Sequence, residues 1–140
     1  MKYKVVYFTR TGNSRRVAKK ISSRLSCEMI EIRDNKSWKG PIGYVRGGFY
    51  SFADRGVDIS LSKKLGDYDE LIVVSSLWAG KIAPTTRKFL KEVPDKKVHL
   101  LVTSMGTILK KRPAYKSVSD IVDKKENEDQ VITSLLGSLL

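Results

Sequence analysis

The sequence has a single cysteine, Cys27, and a single histidine, His99. A lone cysteine excludes an internal disulfide and suits a reducing cytoplasm. One imidazole with no second His or Cys beside it gives a metal site no ligand set. Long hydrophobic runs are lacking as well: "LIVV" and "VHLLV" are the longest, far below the ~18 apolar residues that cross a bilayer as a helix. The opening "MKYKVVYFTRTG" passes from a short apolar run straight into a glycine turn, which predicts no secretory signal peptide. Acidic residues are scarce relative to basic ones. Against 15 Asp and Glu stand 27 Lys and Arg, a formal net charge of +12. A field of that sign favours anionic partners, whether nucleotide, nucleic acid or acidic protein, and is equally compatible with a merely basic surface. The basic residues run from Lys2 to Lys125 without forming a separate tail.

What is present is a globular composition, 41% hydrophobic and 30% charged over 140 residues. That length predicts one domain around a continuous core. "YKVVYF", Tyr3 to Phe8, is β-branched and aromatic and reads as a buried strand. It stops at a turn, Thr9 to Ser14, after which Val17, Ala18, Ile21 and Leu25 recur at helical spacing, with Asn13 or Ser14 available as N-cap. "EMIEI" predicts a second strand, and "NKSWKGPIGYVRGG" a long loop running into a weak helix near Ile42 to Phe52. "YDELIVVSS" is a third strand, continuously apolar as in a sheet covered on both faces. "WAGKIAP" is its exit loop, and Pro84 opens a helix carrying Phe89 and Leu90. "KKVHLLVTS" repeats the pattern as a fourth strand, followed by the loop "MGTILKKR", a helix from Pro113 to about Lys125, and "QVITSLL" as a fifth strand. Strands alternating with helices at this spacing predict an α/β fold with a doubly wound parallel sheet.

On this assignment the chain ends just after its fifth strand, where a further helix would close one face. Runs as apolar as "LIVV" and "HLLV" would then be partly bare, and monomers seldom expose apolar patches beyond a few hundred Å². A second copy, or another chain, is therefore expected over that face.

Two segments carry the candidate chemistry. Thr9, Thr11, Asn13 and Ser14 surround Gly12 at a helix start, where free N–H groups and the positive end of the helix dipole suit a dianionic phosphate. The same residues also suit a plain turn with an N-cap. No Gly-Lys-Ser/Thr and no G-x-G-x-x-G accompanies them. "SSLWAGKIAP", residues 75–84, follows the third strand. Open parallel sheets bind ligands beyond the carboxyl ends of strands where strand order reverses, here between strands one and three. Trp78 there offers a flat apolar face for stacking, or a core tryptophan, and Gly80 allows close backbone approach.

"TRTGNS" with "SSLWAGKIAPTTRKFL" resembles the flavodoxin family, small proteins that bind flavin mononucleotide (FMN). The resemblance extends from Tyr3 through about Leu136 and includes "WKGPIGYVRGGFYSF". It implies a five-stranded parallel sheet of order 2-1-3-4-5, here lacking the C-terminal helix. Thr9, Arg10, Thr11, Gly12, Asn13 and Ser14 match the turn that wraps the flavin's phosphate. Ser76, Leu77, Trp78, Ala79 and Gly80 match the loop flanking the isoalloxazine, and Thr103, Ser104, Met105, Gly106 and Thr107 match a third loop by position. The implied function is electron transfer by noncovalently held FMN, with the protein tuning the flavin's potential by stacking, N5 hydrogen bonding and nearby charge. Familiar flavodoxins are acidic and this chain is basic, which points to an acidic redox protein or NAD(P)H as partner rather than nucleic acid or a membrane. The alternatives are an NAD(P)H-dependent FMN or quinone reductase and a non-redox basic binding module.

Cys27 and Arg33 have the C-x5-R spacing of a phosphatase loop, but "CEMIEIR" alternates like a strand and has no glycine to aim N–H groups at a phosphate. His99, inside an apolar strand, is expected to be a hydrogen-bonded core residue rather than a ligand.

Overall fold

Alternation of side chains along the strands divides the core into two layers. The structure, a computed structural model, describes residues 1–9, 12–34, 59–78, 81–104, 106, 109, 115–123 and 126–139. The helix expected near Ile42 to Phe52 lies outside the described residues. The strands are β1 (Tyr3–Tyr7), β2 (Glu28–Asp34), β3 (Ile59–Leu61), β4 (Glu70–Trp78), β5 (Lys81–Ile82), β6 (Val98–Ser104) and β7 (Ser117–Val122). The helices are α1 (Asn13–Leu25), α2 (Pro84–Leu90) and α3 (Glu128–Leu139).

Parallel pairing runs β2-β1-β4-β6-β7, with registers such as Val6↔Ile30, Val6↔Val73, Val73↔Leu100 and Leu100↔Val118. Among the described residues the sheet is nevertheless mixed and seven-stranded, not five-stranded and all parallel as expected: β3 adds antiparallel to β2, and β5 folds back antiparallel on β4. Both additions are too short to leave a periodic signal in the sequence. Val6, Phe8, Ile30, Leu71, Val73, Leu100 and Val102 point to one face and pack under Phe89 and Leu90 of α2. Val5, Tyr7, Ile72, Val74 and Leu101 point to the other, under Val17, Ala18 and Ile21 of α1. The central strands β1, β4 and β6 thus bury both faces, as their continuous apolar runs require.

The C-terminal part departs from the expectation. Val118, Ile121 and Val122 are spaced as on a helix, yet Ser117–Val122 is the edge strand β7. Its residues alternate between the two layers, Val118 to one and Ile121 to the other. "QVITSLL", expected as a strand, lies within α3. Two features drive this. Glu128 and Asp129 occupy the first turn, where acids favour the helix dipole. Val131, Ile132, Leu135, Leu136 and Leu139 then form one apolar stripe, with Ile132 and Leu135 buried against the α1 layer, each such burial stabilising by about 1.5–3 kcal/mol. The Asn127 carbonyl accepts the Val131 N–H at 2.9 Å, while its side-chain oxygen accepts the Val122 N–H at 2.8 Å, linking the end of β7 to the start of α3. The helix taken to be missing is present in the chain. That helix packs on the face over which a second copy or another chain is expected from the sequence.

Among the described residues no helix is long and apolar enough to cross a membrane.

Candidate functional site

β1 delivers the chain to the carboxyl edge of the sheet at Phe8 and Thr9. Gly12 then adopts φ 99° and ψ −10°, a left-handed conformation that L side chains resist, and caps α1. Its N–H donates to Thr9 Oγ1 at 2.8 Å, and its carbonyl accepts the Arg16 N–H at 3.0 Å as the first bond of the helix. Among the described residues no side chain caps α1, and the N–H groups of its first turn are without intrahelical acceptors by geometry. A Cβ at Gly12 would meet nothing within 4 Å among the described residues. Arg10 and Thr11 lie outside the described residues.

Ser14, fully buried, turns back into the sheet edge. Its Oγ lies 3.3 Å from Ser76 Oγ and 3.1 Å from Thr103 Oγ1. One hydroxyl from each of the three segments singled out in the sequence thus meets the others at the carboxyl ends of β1, β4 and β6. Thr103 Oγ1 is also 3.5 Å from the Ser75 carbonyl, and the Ser75 and Thr86 hydroxyls are 2.6 Å apart, tying β4 to the first turns of α2.

The loop after β4 is a short hairpin. Leu77 pairs with Ile82 and Trp78 with Lys81, and the Ala83 N–H donates to the Ser76 carbonyl at 3.1 Å. Leu77 packs its side chain on the core, so main chain is what it can offer outward. Ala79, Gly80 and the Trp78 ring lie outside what the structure describes. In the third loop Ser104 is half-buried and Gly106 exposed, and Met105 and Thr107 lie outside the described residues. The Leu109 N–H donates to Asp120 Oδ1 at 3.0 Å, which anchors the loop's far side to β7.

A charged cluster that the sequence did not single out stands beside the turn. Arg16 donates through Nη2 to Glu128 Oε1 at 2.6 Å and through Nε to Glu128 Oε2 at 3.3 Å. Arg16 Nη1 also reaches Asn13 Oδ1 at 2.9 Å. Lys20 donates to Glu128 at 2.6 Å and to Asp129 at 3.0 Å. The hydrogen bond from Arg16 chiefly, then that from Lys20, holds the Glu128 carboxyl below the usual range against the opposing effect of burial. The helical spacing of Asn13 and Arg16 was a local signal; the pairing with Glu128 joins segments distant in sequence and had none.

The two residues weighed against catalysis in the sequence are elsewhere. Burial pushes the Cys27 thiol up, away from the thiolate a nucleophile needs, and Arg33 Nε is paired to Glu31 Oε1 at 2.8 Å. His99 is buried at the amino end of β6, with Nε2 2.7 Å from Glu70 Oε1 and Nδ1 2.7 Å from Ser117 Oγ. Lys116 bonds the other oxygen of Glu70. Among the described residues no three His, Cys, Asp or Glu side chains could hold a metal ion.

Comparison with solved structures finds the same fold in proteins described as flavoproteins. A flavoprotein from Lactobacillus acidophilus, solved in complex with FMN, is 20% identical, with TM-score 0.68 over 93% of this chain and 97% of that one. A protein described as a flavoprotein from Bacteroides eggerthii is 19% identical, with TM-score 0.75 over 98% and 96%. Another from Bacteroides uniformis is 16% identical, with TM-score 0.72 over 96% and 97%. At these identities the likeness establishes the fold. No family model and no curated protein matches the chain.

Proposed function

We propose that this chain is a single-domain protein that binds FMN noncovalently and transfers electrons between redox partners in the cytoplasm. The observation that carries the reading is the meeting of the Ser14, Ser76 and Thr103 hydroxyls beside the uncapped start of α1. The same fold in a protein solved with FMN supports it. The phosphate would be held by Thr9, Arg10, Thr11, Gly12, Asn13 and Ser14, through hydroxyls and first-turn N–H groups rather than a lysine. Ser76 to Gly80 would flank the ring system, with main-chain groups of the hairpin as its polar contacts. Thr103 to Thr107 would close the third side. Bound there, FMN would supply the reversible redox chemistry.

The formal charge of +12 favours an acidic redox protein as partner, and NAD(P)H is the small anion that the same field would attract. Addition of NADPH to the flavin-loaded protein separates them: bleaching of the flavin absorbance marks a reductase, and its absence a carrier. The binding claim itself is tested by titrating FMN into the purified protein and following its fluorescence.

A further inference from the structure

Arg16 has donors only, so the atom of Asn13 that it meets at 2.9 Å is the amide oxygen. That contact turns the Asn13 amide nitrogen to the opposite side, as a donor at the first turn of α1. The guanidinium is itself fixed at two points by Glu128, at 2.6 and 3.3 Å. A carboxylate gripping a guanidinium through both oxygens sets its plane as well as its place. Lys20 shares the same carboxylate at 2.6 Å. Glu128 thereby holds both Arg16 and Lys20, so that neither is left to swing across the turn.

We infer that Glu128, on the C-terminal helix, is a positioning residue for recognition of the nucleotide's phosphate: through Arg16 it fixes the Asn13 amide with its N–H groups outward. The inference rests on the FMN reading above. It makes α3 more than a cover for the sheet, because its first residue sets the donor pattern of a turn on another helix. It also makes the effect specific to the phosphate, since Asn13 belongs to the turn that the FMN reading assigns to that group.

The test compares FMN with riboflavin, which lacks the phosphate, binding to wild type, E128Q, R16K and D129N. E128Q is expected to weaken FMN about fivefold, the worth of one misplaced hydrogen-bond donor, and to leave riboflavin unchanged. R16K keeps the charge but loses the planar fork, and is expected to show the same FMN-selective loss. This second variant decides the matter should E128Q fail to fold. D129N, which touches only Lys20 across the cluster, is expected to match wild type with both ligands. Equal losses for FMN and riboflavin, unchanged or tighter FMN binding in E128Q and R16K, or the same loss in D129N would overturn the assignment. A wild-type protein without FMN affinity would instead overturn the functional reading, and this one with it.

Discussion

The hydroxyl of Ser14 lies 3.1 Å from that of Thr103, joining the first turn of α1 to the end of β6 across 89 positions of sequence. With Ser76 Oγ at 3.3 Å from the same atom, Ser14 is the node of the candidate site. S14A is expected to lower the stability of the ligand-free protein by about 1 kcal/mol, the usual net worth of a hydrogen bond. It is also expected to shrink the additional stability that saturating FMN confers. Urea denaturation with and without FMN reads both. An FMN-induced gain equal to that of wild type would detach Ser14 from binding.

Gly12 holds φ 99° with nothing within 4 Å of a built Cβ. A substitution there meets strain without collision, so G12A is expected to cost about 1–2 kcal/mol. G12N is expected to cost less, because asparagine tolerates left-handed backbone better than alanine. Denaturant midpoints of the two variants check the order, and equal midpoints would contradict the conformation.

At the opposite edge of the sheet, burial tends to raise the pKa of Glu70, but Lys116 and His99 outweigh it and hold the carboxyl below its ordinary value. A depressed folded pKa gives stability that is present above the unfolded value, about 4.3 for glutamate, and lost as pH falls through the folded one. E70Q is therefore expected to be less stable than wild type near neutrality, with the gap closing as pH drops below about 4.3. Denaturation from neutral to acid pH measures the gap. One that stays constant or widens on acidification would contradict the pairing.

Cys27 is half-buried, and its thiol is pushed up chiefly by that burial. It is expected to react with a disulfide reagent at pH 7.5 more slowly than free cysteine, because the thiolate is the reacting species. Faster reaction would reopen a nucleophilic role for it.

The sequence displayed the parts of the fold whose signals are local and repeated. Residues "YKVVYF", "ELIVV" and "VHLLV" became β1, β4 and β6 because a strand buried on both faces reads as a near-continuous apolar run, here interrupted only at Lys4, Glu70 and His99 within these stretches. The turn before α1 was legible because glycine and hydroxyls at a helix start have a short list of physical uses. The C-terminal segments were not. In β7, an edge strand with half-solvated positions, the apolar residues Val118, Ile121 and Val122 are too few to fix a period, and their spacing happens to fit a helix. The acids Glu128 and Asp129 ahead of the apolar stripe were the available sign of α3. In the site, the residue types and loops could be named from sequence. That Ser14, rather than a residue of the turn's tip, would bridge to Ser76 and Thr103 depended on strand register, which no local pattern encodes.

The central claim is that this fold's carboxyl edge grips a flavin nucleotide by its phosphate. Fluorescence titration of the purified protein with FMN and, separately, with riboflavin measures it most directly. The account predicts saturable quenching at one FMN per chain and weaker binding of riboflavin. No saturable quenching by FMN, or equal affinity for the two flavins, would contradict it.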